Sequence, residues 1–268
     1  TPNPCLRCNE SIKFEAVLER AMALGFDAVC TGHYARIVHG PNGAELHRAV
    51  DSSKDQSYVL GVLTAEQISH SMFPLGDSTK TQVREEAQRR GILVAQKPDS
   101  HDICFIPDGD TAGWLARQIE TVPGDVIDAE TGVKVGTHAG AQAFTVGQRR
   151  GLALGNPTGD GARRYVVDVD VKNNTVVVGP PMLLDINVIE AIKPRWAGPL
   201  PQDGQQVMVQ VRAHGEALPA RVELTDDGFR VLLDSYLRGV AAGQSAVIYD
   251  DTRVIGSATI SRSRRVDS

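Results

Sequence analysis

Two cysteines, Cys5 and Cys8, form a Cys-x-x-Cys pair near the start of the sequence. Asn9 or Ser11 can cap a helix there, because the apolar side chains that follow recur at helical spacing, and Gly25 is predicted to end it. The helix dipole and the charge of Arg7 favour the thiolate form, which is the reactive nucleophile and metal ligand. The pair alone is compatible with zinc binding, with redox chemistry or with coincidence.

Structural zinc is the weaker interpretation, because zinc usually takes four ligands and no second Cys-x-x-Cys pair is present. Of the other two cysteines, Cys30 lies in an apolar run and is predicted to belong to the core. Cys104 follows His101 and Asp102, which could tune its acidity or cap a turn. Four unevenly spaced cysteines do not make a disulfide scaffold, so these are predicted to be thiols of a cytoplasmic protein.

The elements that must position these residues change in character along the chain. Residues 26–33 are an apolar run that ends at glycine, as expected for a buried parallel strand leading to a ligand-binding loop. Helices are predicted at 56–63, 65–70 and 79–90, the last of them ended by Gly91. From residue 124 onward, short β-rich runs alternate with turn signals, including a hairpin around 172–174. Beyond residue 181, five strands are predicted, at 207–211, 220–224, 229–233, 246–249 and 254–260.

We therefore predict three domains. Residues 1–107 are the remainder of an α/β domain of the Rossmann-like type, and residues 108–181 are a small mixed domain. After Gly179-Pro180-Pro181, residues 182–268 are predicted to form an all-β barrel or sandwich.

The composition narrows the function class only a little. The 268 residues carry a formal charge of −5, which argues mildly against a generic nucleic-acid binder, although local basic patches decide such binding. Neither a secretion signal nor an apolar stretch of roughly 20 residues is present, so no membrane association is predicted. The basic clusters are Arg149-Arg150, Arg163-Arg164 and Arg262, Arg264 and Arg265.

Several short strings, in order along the whole chain, resemble the tRNA-specific 2-thiouridylases of bacteria and mitochondria. The strings are TPNP (1–4), CN (8–9), TGHYA (31–35), SKDQSY (53–58), DS (99–100), ICFI (103–106), TVGQRRGL (145–152), YVV (165–167) and GQSAV (243–247). Each is weak alone, but together they are specific.

The resemblance implies a PP-loop domain that uses ATP, whose phosphates a Ser-Gly-Gly-x-Asp-Ser loop would hold. This sequence contains no such loop and opens on Thr1-Pro2-Asn3-Pro4 without methionine, so we expect it to be a fragment that binds ATP poorly and is inactive alone. Gly32 is expected to border the nucleotide.

The resemblance also assigns the chemistry. Cys104 would carry sulfur as a persulfide, supplied by a sulfur-relay protein or cysteine desulfurase, and Cys8 would resolve it through a Cys8–Cys104 disulfide. Many relatives have aspartate where this chain has Cys5. An alternative mechanism is therefore a [4Fe-4S] cluster held by Cys5, Cys8 and Cys104.

For the tRNA substrate, the resemblance implies that Asn3, Pro4 and Cys5 contact the target base. It further implies tRNA contacts at His33, Lys54, Asp55, Gln56, Arg212 and Gln244. From the residues themselves we add Arg149 and Arg150, because paired arginines beside glycines suit phosphates. Lys54 and Asp55 would otherwise form a surface turn, and Gln244 would be a polar loop residue.

Two rival functions stay open at this point. A PP-loop ligase acting on a metabolite would need no C-terminal β domain. A non-catalytic RNA-binding module would need its arginines but not its cysteines.

Overall fold

The computed structural model describes residues 3–97, 106, 109–152, 154 and 163–267. Cys104, which is predicted to carry the persulfide, lies outside these residues.

The chain begins with one continuous helical run, residues 4–23, which we call the cysteine helix. It comprises α1 (Pro4–Arg7), a π-helical segment (Cys8–Val17) and α2 (Leu18–Ala23). Its cap is Asn3, whose side chain accepts a hydrogen bond of 2.9 Å from the Cys5 amide. The predicted start at Asn9 or Ser11 is wrong, because Asn3 caps as well and Pro4 fits the first helical position. The helix ends before Gly25, as predicted, with φ of 84° at that glycine.

Elsewhere in the described part of the first domain, short elements surround a two-residue parallel pair, β1 (Val29–Cys30) beside β4 (Ser71–Met72). Cys30 is exposed, so its predicted core position is wrong: among the described residues β1 has one neighbouring strand, which leaves this side chain uncovered. The helices are α3 (Ser57–Leu60), α4 (Ala65–Ser69) and α5 (Lys80–Arg89).

A hairpin of β2 (Ala35–Gly40) and β3 (Gly43–Arg48) was not predicted. The hairpin extends from the first domain and adds two strands to the C-terminal sheet, where Arg253 pairs with His47. Leu6 and Phe14 of the cysteine helix share one hydrophobic core with Val247 and Tyr249 of that sheet. The first and last domains are therefore packed together.

The central domain contains α6 (Thr111–Gln118) and a four-stranded sheet in the order β6-β5-β8-β7. Its core is rich in valine, and the buried Arg164 donates to Asp128 at 3.3 Å. The predicted 172–174 hairpin joins β7 to β8. The strands are β5 (Gly124–Asp128), β6 (Lys134–His138), β7 (Tyr165–Asp170) and β8 (Thr175–Gly179).

The C-terminal domain is a barrel of six strands that closes through pairing of β13 with β14. Five of its strands were predicted and one, β9, was not, because Lys193-Pro194-Arg195 interrupts its apolar alternation. The strands are β9 (Asp185–Trp196), β10 (Gln206–Gln210), β11 (Leu218–Thr225), β12 (Gly228–Arg238), β13 (Ser245–Asp250) and β14 (Arg253–Arg264).

The predicted fold class, α/β followed by a small mixed domain and an all-β barrel, is confirmed. Within the described part of the chain, no helix is long and apolar enough to span a membrane.

Candidate active site

The cysteine helix presents its two thiols at different depths, with Cys5 exposed and Cys8 partly buried. The π-helical segment begins at Cys8, and π-helical turns are rare and frequent at functional sites. Two side chains fix the segment: Asn9 donates to the Val59 carbonyl at 2.9 Å, and Gln67 donates to the Phe14 carbonyl at 2.6 Å. Cys8 is thus held on a helix that cannot easily turn or slide.

The sequence suggested that Arg7 lies between the thiols and supports them. In the structure Arg7 forms an ion pair of 2.6 Å with Glu10. Its charge is therefore shared with a carboxylate one turn along the helix.

His33 lies just after β1 and is buried, with its ring against Phe14 and Phe73 at centroid separations of 6.2 and 6.0 Å. Its Nε2 faces the Lys13 ammonium at 3.5 Å and its Nδ1 lies 2.8 Å from the Thr31 hydroxyl. Because an ammonium can only donate, Nε2 accepts from Lys13. The proton of the neutral ring is therefore on Nδ1, which donates to the Thr31 hydroxyl. Burial, reinforced by Lys13, lowers the pKa of His33 from 6.5 to about 4.

This pKa predicts that His33 destabilises the fold in acid. Unfolded His33 takes up a proton as pH falls through 6.5, whereas folded His33 does so near 4, so the stability it contributes is complete above 6.5 and is lost below it. Between pH 7 and pH 5 the wild type should lose about 2 kcal/mol more unfolding free energy than His33→Gln. Urea titrations at both pH values measure this difference. Parallel losses in the two proteins would contradict it.

The structure places Asp55 in a supporting position rather than on the surface. One carboxylate oxygen accepts from the Ala49 and Ser57 amides at 3.0 and 3.1 Å, and the other accepts from Arg48 at 3.1 Å and the Ser57 hydroxyl at 2.7 Å. Its side chain is 7% exposed. Asp55 therefore shapes the turn that carries Lys54, which is half-buried.

Gln56 follows in the same turn and binds the backbone after His33. It accepts from the Tyr34 amide at 2.9 Å through its side chain, and its own amide donates to the Tyr34 carbonyl at 2.8 Å. Gln56 thereby ties the 53–58 string to the loop that holds Gly32 and His33. Gly32 itself is exposed at the carboxyl end of β1.

Hydrogen bonds link the Asp55 turn to Arg212 in the barrel. Arg48, the ion-pair partner of Asp55, donates to Gln210 at 3.0 Å, and Gln210 donates to the Arg212 carbonyl at 2.9 Å. The exposed Arg212 in turn donates to the carbonyls of Arg238 and Gly239.

Gly239 is also where the central domain meets the barrel. Gly147 packs so closely that a Cβ added there would lie 3.2 Å from the Gly239 Cα. Gly147 has φ of 90°, which favours glycine, and the exposed Arg149 and Arg150 follow it. Gly147, two residues before the arginine pair, and Arg212 thus both meet Gly239, although they belong to different domains.

Gln244 lies in the turn before β13. Its side-chain oxygen is buried and has no hydrogen-bond partner among the described residues. The next residue, Ser245, accepts from the Tyr58 hydroxyl at 3.0 Å, which joins this turn to α3.

Two cavities flank the start of the cysteine helix. An apolar cavity of about 800 Å³ lies between the central domain and the barrel, and Pro4, Ile106, Trp114 and Phe144 line it. A smaller cavity of about 280 Å³ lies between the helix and the barrel, beside Asn3. Asn3 and Pro4, predicted to contact the substrate, thus border one cavity each.

All three parts of the chain match known protein families. Residues 1–108 match the tRNA methyl transferase HUP domain, residues 112–180 the tRNA methyl transferase PRC-barrel domain, and residues 187–260 the aminomethyltransferase beta-barrel domain.

Curated relatives are similar over nearly the whole chain. The chain is 61% identical to the tRNA-specific 2-thiouridylase MnmA of Acidothermus cellulolyticus, over 99% of this chain and 73% of that protein. It is 62% identical to the enzyme of the same name from Salinispora tropica, over 97% of this chain and 73% of that protein. For Streptomyces coelicolor the values are 56%, 99% and 71%. The chain belongs to the tRNA-specific 2-thiouridylase family.

Membership of the 2-thiouridylase family confirms the resemblance drawn from the short strings. It does not test the individual residues. The iron–sulfur alternative stays a prediction, because Cys104 lies outside the described residues; within them, no group of three or more His, Cys, Asp or Glu side chains could hold a metal ion.

Several residues that support the candidate site gave no signal in the sequence. Lys13, Arg48 and Gln210 act through partners that are distant along the chain or on other elements, and neither spacing nor composition indicates such pairs. For Arg48 and Gln210 the missing information was the β2–β3 hairpin, which brings Arg48 to the barrel.

Proposed function

We propose that the chain takes part in ATP-dependent 2-thiolation of the wobble uridine of tRNA, with Cys8 as a catalytic thiol. One observation carries the proposal: the helix that bears Cys8 starts between two cavities, where residues from all three domains meet. Family membership supports the reaction class. A cytoplasmic location, with a sulfur-relay protein or cysteine desulfurase as donor, belongs to the same proposal.

The simplest test of this function is genetic. Deleting the chromosomal gene should remove 2-thiouridine derivatives from bulk tRNA, as measured by nucleoside mass spectrometry, and the wild-type gene should restore them. Unchanged thiolated nucleosides in the deletion strain would contradict the proposal, and so would a function confined to a small metabolite.

ATP, when bound, makes the C2 oxygen of uracil a leaving group. Of the residues here, Gly32 fits the edge of a nucleotide site: it is exposed, and a Cβ added to it would meet only Leu75, at 3.7 Å. The sequence contains no Ser-Gly-Gly-x-Asp-Ser loop for the phosphates. Among the residues of this chain, we assign the cysteines to sulfur transfer.

In the proposed sulfur step, Cys104 carries a persulfide. Its terminal sulfur attacks the activated C2, and the C2 oxygen leaves with its electron pair as part of AMP. The Cys8 thiolate then attacks the Cys104 sulfur, which breaks the S–S bond, leaves both electrons on the new thiocarbonyl sulfur and forms a Cys8–Cys104 disulfide. An external thiol reductant reopens that disulfide for the next cycle.

The apolar cavity is the proposed site of the uracil. It has the size and mostly apolar lining of small-ligand pockets, and Trp114 and Phe144 offer aromatic faces of the kind on which extruded bases stack. Pro4 borders it, so a base bound there would lie one helical turn from Cys8. We propose that Lys54, Arg149, Arg150, Arg212 and Gln244 contact the rest of the tRNA.

Charge reversal of the arginine pair should weaken tRNA binding strongly. Arg149→Glu/Arg150→Glu is expected to raise the Kd for tRNA about 10- to 100-fold at low salt and to flatten its salt dependence, because fewer counterions are released. Fluorescence anisotropy with labelled tRNA at several salt concentrations measures both quantities.

The matched control is another exposed arginine pair, Arg89→Glu/Arg90→Glu, because both of its arginines are already paired with Glu86. This control should change the Kd less than about twofold. If the two double variants bound tRNA alike, the Arg149–Arg150 contact would have to be abandoned.

A further inference from the structure

The smaller cavity, between the cysteine helix and the barrel, has a cationic and hydroxyl-rich lining. Arg7 and Glu10 line it from the helix, and Lys193 and Arg195 line it from β9. Ser257 and Thr259 of β14 add hydroxyl groups. Such a lining suits an anion, because the hydroxyls can donate hydrogen bonds while the cations supply charge.

The charges in this cavity do not cancel. Glu10 pairs with Arg7 at 2.6 Å and with Arg195 at 3.3 Å, so one carboxylate serves two guanidinium groups. Lys193 has no ion-pair partner in the part of the chain that the structure describes. Three cations therefore face one carboxylate around a cavity of about 280 Å³.

Lys193 is held in an unusual backbone conformation. Its φ is 55°, a left-handed value that costs energy for a long side chain, and its amide donates to the Asp227 carbonyl at 2.9 Å. The conformation occurs inside β9, directly after Ile192, which pairs with both neighbouring strands, β12 and β14. Ser257, on the adjacent strand, is 2% exposed, so this part of the cavity lining is fixed by packing.

We propose that this cavity binds a phosphodiester of the tRNA backbone next to the nucleotide that Cys8 serves, with Lys193 and Arg195 as its cations. The inference rests on the proposed function. It is favoured over a free anion by the layout, since Asn3 borders this cavity and Pro4 borders the apolar one. A nucleotide has an apolar base joined to an anionic backbone, and the helix start lies between a site for each.

The test replaces Lys193 with asparagine, which removes the charge and tolerates the left-handed backbone. The Kd for tRNA is measured by anisotropy across salt concentrations, and thermal unfolding confirms the fold. Lys193→Asn should raise the Kd about five- to tenfold and lower the slope of log Kd against log salt by about 0.7 to 0.9, as for one lost phosphate contact. Lys172→Asn, in the exposed β7–β8 turn, is the matched control and should bind like the wild type.

A second arm identifies which phosphate is bound. A tRNA with one neutral methylphosphonate beside the target uridine should bind the wild type more weakly, but should lose no further affinity with Lys193→Asn. A free-anion site would instead make wild-type binding respond to millimolar inorganic phosphate and not to the methylphosphonate. That result, or unchanged binding by Lys193→Asn, would overturn the inference while leaving the proposed function intact. A wild-type protein that neither binds nor thiolates tRNA would remove the proposed function as well.

Discussion

Cells whose chromosomal gene encodes Cys8→Ser should contain no detectable 2-thiouridine derivatives in their tRNA. A serine hydroxyl cannot attack the Cys104 sulfur to break the S–S bond that holds the uridine at neutral pH, so the reaction should stop and not merely slow. Nucleoside mass spectrometry of bulk tRNA measures this. The Kd for tRNA should stay within about twofold of the wild type, because only one atom has changed. The helix stays fixed by the hydrogen bonds of the Asn9 side chain and the Phe14 carbonyl.

Cys30→Ser is the natural control for this experiment. Cys30 is also a cysteine of the first domain, it is exposed at β1, and the proposed sulfur step gives it no role. It should support normal thiolation. Normal thiolation with Cys8→Ser, or equal losses with both variants, would exclude Cys8 as the catalytic thiol.

Asp55→Ala should be among the most destabilising substitutions in the first domain. It removes acceptors from the Ala49 and Ser57 amides and leaves the Arg48 guanidinium partly buried without its carboxylate. Breaking a buried pair in this way costs about 3 kcal/mol or more of unfolding free energy. Urea unfolding of the purified variant at pH 7 measures the loss.

The comparison variant is Asp77→Ala, whose carboxylate is 83% exposed and lies 4.0 Å from Arg36. It should cost less than about 0.5 kcal/mol. Suppose instead that Asp55→Ala unfolded like the wild type but bound tRNA more weakly. Asp55 would then be a direct tRNA contact, as the resemblance implies, and not a support for the turn.

The parts of the fold that the sequence predicted are those with strong local patterns. Gly25 and Gly91 end their helices, and the turn at 172–174 joins two valine-rich strands. The barrel strands other than β9 follow from apolar runs between turn residues. In each case the information lies within a dozen residues.

The errors arose where local rules admitted more than one answer or where a distant partner decided. Asn3 and Asn9 both satisfy the preference for a helix cap, and Pro4 decides between them. Cys30 is in an apolar run, but its burial depends on which strands lie beside β1. The β2–β3 hairpin is stabilised by β14, about 200 residues later, so no local pattern reveals its role.

The candidate site divides in the same way. The string at 145–152 contains Gly147, which meets Gly239 of the barrel near Arg212. The short strings did not reveal that Asp55 is enclosed by hydrogen bonds, since a Lys-Asp pair in a turn is usually solvated. Burial of a polar side chain depends on packing that a single sequence does not specify.

If Cys8 completes sulfur transfer by closing a disulfide with Cys104, one disulfide should form for every sulfur atom delivered to tRNA. The protein, with persulfide loaded on Cys104, is allowed one turnover with ATP and tRNA in the absence of reductant, alkylated, and digested for mass spectrometry without reduction. We expect a peptide pair joined through Cys8 and Cys104, in an amount equal to the 2-thiouridine formed. Thiolated tRNA accompanied by fully alkylated Cys8 and Cys104 would contradict it.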